Sequence, residues 1–233
     1  MIIFGINPII ESLHSERRPD SIYVQSGKRN KRLSHVVGMA ERFNIPVNVV
    51  DSMDKICGRN VVHQRVAGEF SVKLTQSLKS LPSDVDRVVL LDGLEDPHNF
   101  GASLRVCEVF GFPHVIFHKG NSSGLTSIAA KSSAGAVFHL NLYSSNLNQA
   151  IKHLKDSGFS IICMEAQGAE SIFDVELPSK YCLVVGSEGK GVRHNIREQS
   201  DKVVNVPMRG RVNSLNVSCA LSATLCEFSR KRT

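Results

Sequence analysis

The sequence predicts an α/β chain in two parts: a small α/β domain over residues 1–74 and a larger α/β domain with a parallel sheet over residues 87–233. Three observations carry that expectation. Apolar runs of strand length (VVLL, HVIF, FSIICM, YCLVV and KVVNV) recur from Arg87 onward with helically spaced segments between them, the pattern of parallel βαβ units. Residues 75–86, TQSLKSLPSDVD, are polar, contain Pro82 and read as a linker between the two. A length of 233 residues, 42% hydrophobic and 21% charged, suffices for one large core or two unequal ones without crosslinks.

The elements follow in order. Asn7 then Pro8 reads as a helix N-cap and first helical position, opening IIESLH. Residues 22–25 suit a strand, residues 33–43 a helix closed by Asn44-Ile45-Pro46, and residues 47–50 a second strand. In the larger domain VVLL runs into a loop with an Asp96-Pro97 turn and then a helix through Phe110. YCLVV runs into a glycine-rich turn. KVVNV runs into a Pro-Met-x-Gly loop, then a helix that Ser214 caps, with Leu215, Cys219, Ala220 and Leu225 available for packing.

Several classes are excluded. Disorder and collagen-like repeats do not fit this composition. The longest uncharged stretch, residues 132–151, is broken by Ser, Asn, Gln and His, so no membrane span is expected. The opening MIIFGINPIIESLH has no basic segment before its apolar residues and does not read as a signal peptide. Cys57, Cys107, Cys163, Cys182, Cys219 and Cys226 form no C-x-x-C pair and read as buried free thiols of a reducing compartment, so a cytoplasmic protein is expected. His114 and His118 share one face of a strand without metal partners, and no metal is expected.

Lys plus Arg number 28 and Asp plus Glu 22, a formal net charge of +6. The excess clusters. Residues 1–74 hold 11 Lys plus Arg against 7 acids, with Lys28, Arg29, Lys31 and Arg32 within five residues and Arg59, His63 and Arg65 near the end of the domain. A second zone holds Lys190, Arg193, Arg197, Lys202, Arg209 and Arg211 against only Glu198 and Asp201. Either run alone reads as a solvated surface. Two zones together suggest contact with an extended polyanion. With three Tyr and no Trp a stacking platform for single strands is poorly supported, and folded RNA read by shape and phosphate fits better.

Three segments of the larger domain carry candidate chemistry. Asn99 and Arg105 follow the strand VVLL, near the carboxyl end where open α/β sheets bind ligands. Alternatively, Asn99 caps the helix and Arg105 lies on the surface. Gly186 to Gly191 has a phosphate-loop interval, but Val192-Arg193 replaces the required Lys-Ser/Thr pair. What remains is a glycine turn with Glu188 at its tip. Ser214 and Asn216 place two polar side chains at a helix N-terminus beside a glycine-rich loop, either a cap or the lip of a small-ligand site.

Taken together, N-x-G-x-x-x-R (Asn99, Gly101, Arg105), V-G-S-E-G-x-G and V-P-M-x-G-x-x-x-S-L-N-V-S resemble the three motifs of the SpoU/TrmH family, in order and spacing, over residues 88–228. Members of that family are RNA ribose 2′-O-methyltransferases of the knotted SPOUT class. FGINPIIESL and HQRVAG resemble the substrate-binding domain of its 23S rRNA guanosine-2′-O-methyltransferase (RlmB-like) branch, so the likeness covers nearly the whole chain. There are departures: Val106-Cys107 where the family often has Thr-Ala, and Arg65 where Gly is common.

The resemblance implies a C-terminal trefoil knot, an exception to the general absence of knots. It implies S-adenosylmethionine bound in that knot by Gly186, Val206 and Leu215, with Met208 packing. It places Arg105 at the 2′-oxygen. A guanidinium is too basic to act as a simple base, so Arg105 would pin a phosphate and stabilise the developing alkoxide. Asn99 would orient Arg105 or the ribose, Glu188 would pair with a basic group, and Ser214 and Asn216 would hold substrate or cofactor edges. Lys28, Arg29, Lys31, Arg32, Arg65 and Arg193 would contact RNA, and the chain would be a homodimer. The implied activity is 2′-O-methylation of a guanosine ribose in 23S rRNA. The alternatives are a tRNA methyltransferase of the same family or a non-catalytic RNA-binding relative.

Overall fold

Short apolar runs punctuated by glycine and proline turns build the front of the chain. In the computed structural model, which describes residues 1–28, 30–118, 124–212 and 214–232, they form β1 (Ile2–Phe4), α1 (Ile6–His14), β2 (Ser21–Gln25), α2 (Lys31–Arg42), β3 (Val47–Val50), α3 (Asp54–Cys57) and β4 (Val66–Glu69). The sheet order is β1-β4-β2-β3, with β4 antiparallel to both neighbours and β2 parallel to β3.

Two expected helix starts shift. Asn7 is not the N-cap of α1: the cap is Gly5 at φ 107°, two residues earlier, and the Ile6 amide is met by Gln64 Oε1 at 2.8 Å. Pro8 still falls in the first turn, where its missing N–H is no loss. Helix α2 starts two residues before the apolar pattern suggests, because Asn30 Oδ1 accepts from Leu33 N at 2.8 Å.

The rest of the chain builds one sheet. Its elements are β5 (Thr75–Gln76), β6 (Arg87–Leu91), α4 (Pro97–Val109), β7 (His114–His118), α5 (Ser127–Ser132), β8 (Asn141–Ser145), α6 (Leu147–Asp156), β9 (Ser160–Met164), β10 (Glu170–Ser171), β11 (Tyr181–Val185), α7 (His194–Arg197), β12 (Lys202–Asn205) and α8 (Val217–Arg230). The order is β10-β12-β9-β11-β6-β7-β8-β5, and every pairing is parallel. All five residues of β11 are buried, which is why YCLVV reads as a continuous apolar run rather than an alternating one. The linker expected over residues 75–86 carries β5, the edge strand beside β8.

The two parts share one apolar core, which runs from Ile3, Ile9 and Val24 through Phe70 and Phe138 to Val89 and Leu225. Polar contacts reinforce the seam. Arg17 donates Nη1 to Leu140 O at 2.7 Å and to Val137 O at 3.3 Å. Lys131 donates Nζ to Val62 O at 2.5 Å, and Ser127 Oγ donates to Ile2 O. His139 Nε2 lies 3.1 Å from Glu11 Oε2.

The cysteines divide. Cys107, Cys163 and Cys182 are buried and Cys57 half-buried, but Cys219 and Cys226 are exposed, correcting the expectation that the set is buried. They stand seven residues apart on α8, on its solvent side, where the apolar pattern of Val217, Leu221, Leu225 and Phe228 turns the other face inward. Among the described residues no helix is long and apolar enough to cross a membrane, and no group of His, Cys, Asp or Glu is arranged to hold a metal ion.

Candidate active site

The chain walks outward from β6 through β7 to β8 and then crosses back to β9, so the carboxyl ends of β9, β11 and β12 open at a switch point of the sheet. There β11 runs into the glycine turn. Ser187 N donates to Gly191 O at 3.1 Å and Gly191 N returns to Ser187 O at 2.9 Å. A Cβ on Gly186 would sit 2.0 Å from the Gly191 carbonyl carbon, so the turn closes only with glycine at that position.

Two acids fasten the exit of the turn. Glu165, directly after β9, accepts Val192 N at 3.0 Å on Oε1. Asp92, directly after β6 and 1% exposed, accepts Arg193 N at 2.9 Å and Arg193 Nε at 2.7 Å. Arg193, expected to contact RNA, is therefore tied through its Nε to a buried carboxylate, although its side chain stays 41% exposed. Burial, with the Glu165 carboxylate beside it, pushes the Cys163 thiol up to about 12 and leaves it unreactive.

Asn99 does not cap α4. Asp96 does, accepting His98 N at 2.9 Å, with Pro97 at the first helical position. Nor does Ser214 cap α8: Asn216 Oδ1 accepts Ser218 N at 2.9 Å and Ser218 Oγ at 2.7 Å, and Ser214 is left exposed. Because the Asn216 oxygen is engaged there, its amide Nδ2 donates, reaching Asn99 Oδ1 at 2.9 Å. Asn99 in turn directs Nδ2 at Glu188 Oε2, 3.3 Å away. One hydrogen-bond chain thus runs from the start of α8 through α4 to the tip of the glycine turn, with each amide's orientation set by the one before it.

Two expectations change here. Glu188 is met by the Asn99 amide, not by a basic group, and the neighbouring Lys190 approaches Glu95 instead, at 3.8 Å. Arg105 lies six residues beyond Asn99, about 120° away around the helix, so Asn99 does not hold it. Arg105 is exposed and makes no hydrogen bond or ion pair with any described residue. Between them, Gly101 lets α4 lie against α5: a Cβ there would fall 2.3 Å from Ala129 O.

A cavity of about 530 Å³ opens at these strand ends. Gly186, Val206, Met208 and Leu215, the four residues expected around a cofactor, all line it, as do Glu188 and Ser214. Asn99 and Asn216 stand behind Glu188, and Arg105 is not part of the wall. The sequence reading missed Glu165, Gln167 and Arg197, which also line the cavity, and Asp92. For the two acids a signal was present: each follows the last apolar residue of a strand.

The basic residues of the front part are unequal. Lys28 and Lys31 are exposed, Arg32 is bonded through Nη2 to Asn7 Oδ1, and Arg29 lies outside the described residues. Arg65, expected to contact RNA, instead donates Nη1 to Lys28 O at 2.7 Å and Nη2 to Gln25 O at 3.2 Å, closing the turn after β2. Its φ of 66° lies in the left-handed region, which accounts physically for a position where glycine is at home.

Known proteins share both parts of the chain. The model of the SpoU rRNA Methylase family matches residues 86–226, and that of RNA 2′-O ribose methyltransferase substrate binding matches residues 2–73. A protein of Staphylococcus haemolyticus assigned to the TrmH family of tRNA/rRNA methyltransferases is 33% identical over 242 residues, spanning 100% of this chain and 96% of its own length. Among solved structures, the SpoU methyltransferase AviRb from Streptomyces viridochromogenes, in complex with AdoMet, has a TM-score of 0.83 at 19% identity, covering 100% of this chain and 90% of its own. The AdoMet-bound rRNA methyltransferase from Sinorhizobium meliloti has a TM-score of 0.81 at 18% identity, with 99% and 87% covered. The two solved structures speak for the fold. The family models, matching both parts of the chain, and the full-length relative speak for descent: this chain belongs to the SpoU/TrmH family of RNA methyltransferases.

Proposed function

We propose that the chain transfers a methyl group from S-adenosylmethionine to a ribose 2′-hydroxyl of RNA, at a guanosine of 23S rRNA. The observation that carries this reading is the cavity at the ends of β9, β11 and β12, lined by the glycine turn and by Val206, Met208 and Leu215. Its volume lies within the roughly 300–1,000 Å³ of small-molecule sites. The residues fit the cofactor: apolar side chains suit an adenine slot, and the backbone of the turn offers hydrogen bonds at close approach. When bound, the cofactor supplies a methyl already activated on a sulfonium.

The chain's part is alignment. Arg105, exposed and unpartnered among the described residues, is available to pin a phosphate and stabilise charge developing on the 2′-oxygen. It does not take the proton, which passes to phosphate or water. Asn99, Glu188 and Asn216 act as one unit that positions the ribose at the cavity mouth, and Ser214 borders it.

Ribosomal RNA as substrate is supported by the front part, which matches a substrate-binding model, and by the Sinorhizobium meliloti rRNA enzyme, which aligns over nearly the whole chain. Within the basic run at residues 28–32, Lys28 and Lys31 are exposed and available to meet phosphate. We further propose a homodimer, a trefoil threading of the C-terminal segment and a cytoplasmic location, each resting on family membership. The tRNA alternative stands beside it, because the name of the Staphylococcus haemolyticus relative gives tRNA and rRNA together.

The test is incubation with labelled S-adenosylmethionine and, separately, unmodified 23S rRNA fragments and tRNA transcripts, mapping the product by alkali-resistant backbone linkages. Methyl transfer to a 23S guanosine is expected. Transfer to tRNA alone would move the substrate assignment, and absence of cofactor binding would overturn the reading. A monomer by gel filtration at micromolar concentration would refute the dimer.

A further inference from the structure

We propose that Glu165 is a cofactor-binding residue, its free carboxylate oxygen accepting hydrogen bonds from the vicinal hydroxyls of the methyl donor's ribose. This rests on the reading of the cavity as an S-adenosylmethionine site.

Glu165 stands on the cavity wall at the end of β9, where its amide donates to Val204 O of β12 at 2.9 Å and fixes the backbone between two strands. One oxygen, Oε1, takes the Val192 amide at 3.0 Å. The other, Oε2, receives no hydrogen bond from a described residue. The turn makes room for this carboxylate: Gly191 lies across from it, and a Cβ there would fall 2.9 Å from Oε2. No cation among the described residues neutralises Glu165, although Arg197 lines the same cavity. A half-buried carboxylate that is anchored by one oxygen and has a second oxygen free can take donors from a ligand, and leaving it unmatched in a filled site is costly.

The methyl donor offers three sets of donors. The adenine amine suits the backbone acceptors of an apolar slot. The α-ammonium carries its own carboxylate two bonds away, which would bring a second negative charge towards Glu165. The ribose diol presents two adjacent donors and no charge, matching an acceptor-only group. An acidic residue beyond a strand end takes ribose hydroxyls in dinucleotide folds for the same reason.

The experiment is calorimetric binding to the full-length protein of S-adenosylhomocysteine, its 2′,3′-dideoxy analogue and its deaminated analogue, with Glu165→Gln as the variant. That substitution keeps an acceptor for Val192 N and nearly the same shape. For the wild type, loss of the hydroxyls should weaken binding about tenfold or more. Glu165→Gln should weaken the parent ligand by a similar factor and be almost indifferent to the dideoxy change. If the two losses multiply instead, Glu165 does not touch the hydroxyls and the inference fails. Indifference of the variant to deamination would fail it too, by assigning the acid to the ammonium. If Glu165→Gln unfolds, Glu165→Asp, with the carboxylate withdrawn by one methylene, should likewise lose the discrimination, and retention of it overturns the inference. A wild type that binds none of the ligands overturns the cofactor reading itself, a different outcome from binding with multiplied losses.

Discussion

Two helix glycines with opposite surroundings give a paired test of how α4 is seated. Alanine is favoured over glycine within a helix by about 1 kcal/mol, whatever the site. At Gly38, in the middle of α2, an added Cβ meets nothing within 4 Å. Gly38→Ala should therefore stabilise the protein by about 0.5–1 kcal/mol, raising Tm by roughly 1–4 °C in a chain of this size. At Gly101 the same methyl falls 2.3 Å from Ala129 O, 2.7 Å from Ser132 Cβ and 3.0 Å from Ser133 N. The first of these is short of ordinary van der Waals contact by about 1 Å, and two of the three atoms are backbone, which cannot swing aside. Overpacking of this kind costs about 1–3 kcal/mol, and prying two helices apart belongs at the upper end. After the helix preference is offset, Gly101→Ala should lose about 2 kcal/mol and roughly 4–8 °C of Tm. The displacement should also carry Asn99 off the Glu188 carboxylate, and a shift near 1 Å at a reacting centre can lower a rate about a hundredfold. Thermal unfolding by circular dichroism, with methyl-transfer rates on the same samples, measures both. A Gly101→Ala protein as stable as its parent would refute rigid seating of α4 on α5.

Four further outcomes follow from other contacts. Gly186→Ala places a methyl 2.0 Å from the Gly191 carbonyl carbon and should weaken cofactor binding by about a hundredfold in calorimetry; an unchanged Kd would remove the turn from the cavity wall. Asp92→Ala strands the Arg193 amide and Nε beside a buried void and should cost about 3 kcal/mol in urea unfolding; a loss below about 1 kcal/mol would show the clamp to be idle. Burial lowers the pKa of His114 against the pull of Asp84 and Asp86, and its ring stacks on Tyr143 with centroids 6.0 Å apart. The neutral ring thus stabilises the fold above the ordinary value of 6.5, and that contribution is lost as pH falls through the lowered folded value; His114→Gln should flatten the dependence of the urea midpoint on pH in this window, and an unchanged slope counts against it. Finally, a thiol reagent should modify Cys219 and Cys226 rapidly in the native monomer, Cys57 more slowly and the buried three only on unfolding; protection of the first two at high protein concentration would locate a subunit contact on α8.

The sheet was legible because parallel strands covered on both faces leave uninterrupted apolar runs, and β6, β7, β9, β11 and β12 each coincide with one. The edge strand β5 was not: two residues, Thr75 and Gln76, carry no pattern, and only their partner Leu142–Tyr143 gives them an identity. Helix caps were misread for a related reason. Asn7 and Ser214 have the right chemistry for a cap, but the choice among neighbouring candidates was made by distant groups, Gln64 in one case and Asn99 in the other. The motif residues were legible as a set, while their partners were not. Spacing put Asn99 beyond a strand end, Glu188 in a turn and Asn216 at a helix N-terminus, yet it carries no signal for which amide faces which. Arg65 and Arg193 show the limit of charge counting: each guanidinium is engaged within the fold, one by backbone carbonyls and one by a buried carboxylate.

The seam between the two parts has an evolutionary consequence. By sequence, the connection over residues 75–86 is the natural place to cut the chain and exchange one front part for another. The contacts that join the parts lie elsewhere: Arg17, Lys131, Ser127 and His139 bind the front part to the stretch of chain from α5 to the start of β8. A recombinant that crossed over at the connection would separate both sides of that seam from the residues that match them. Lineages of such enzymes are therefore expected to acquire new targets by gradual change of exposed side chains such as Lys28 and Lys31, since wholesale exchange of the front part would require the α5 stretch to travel with it.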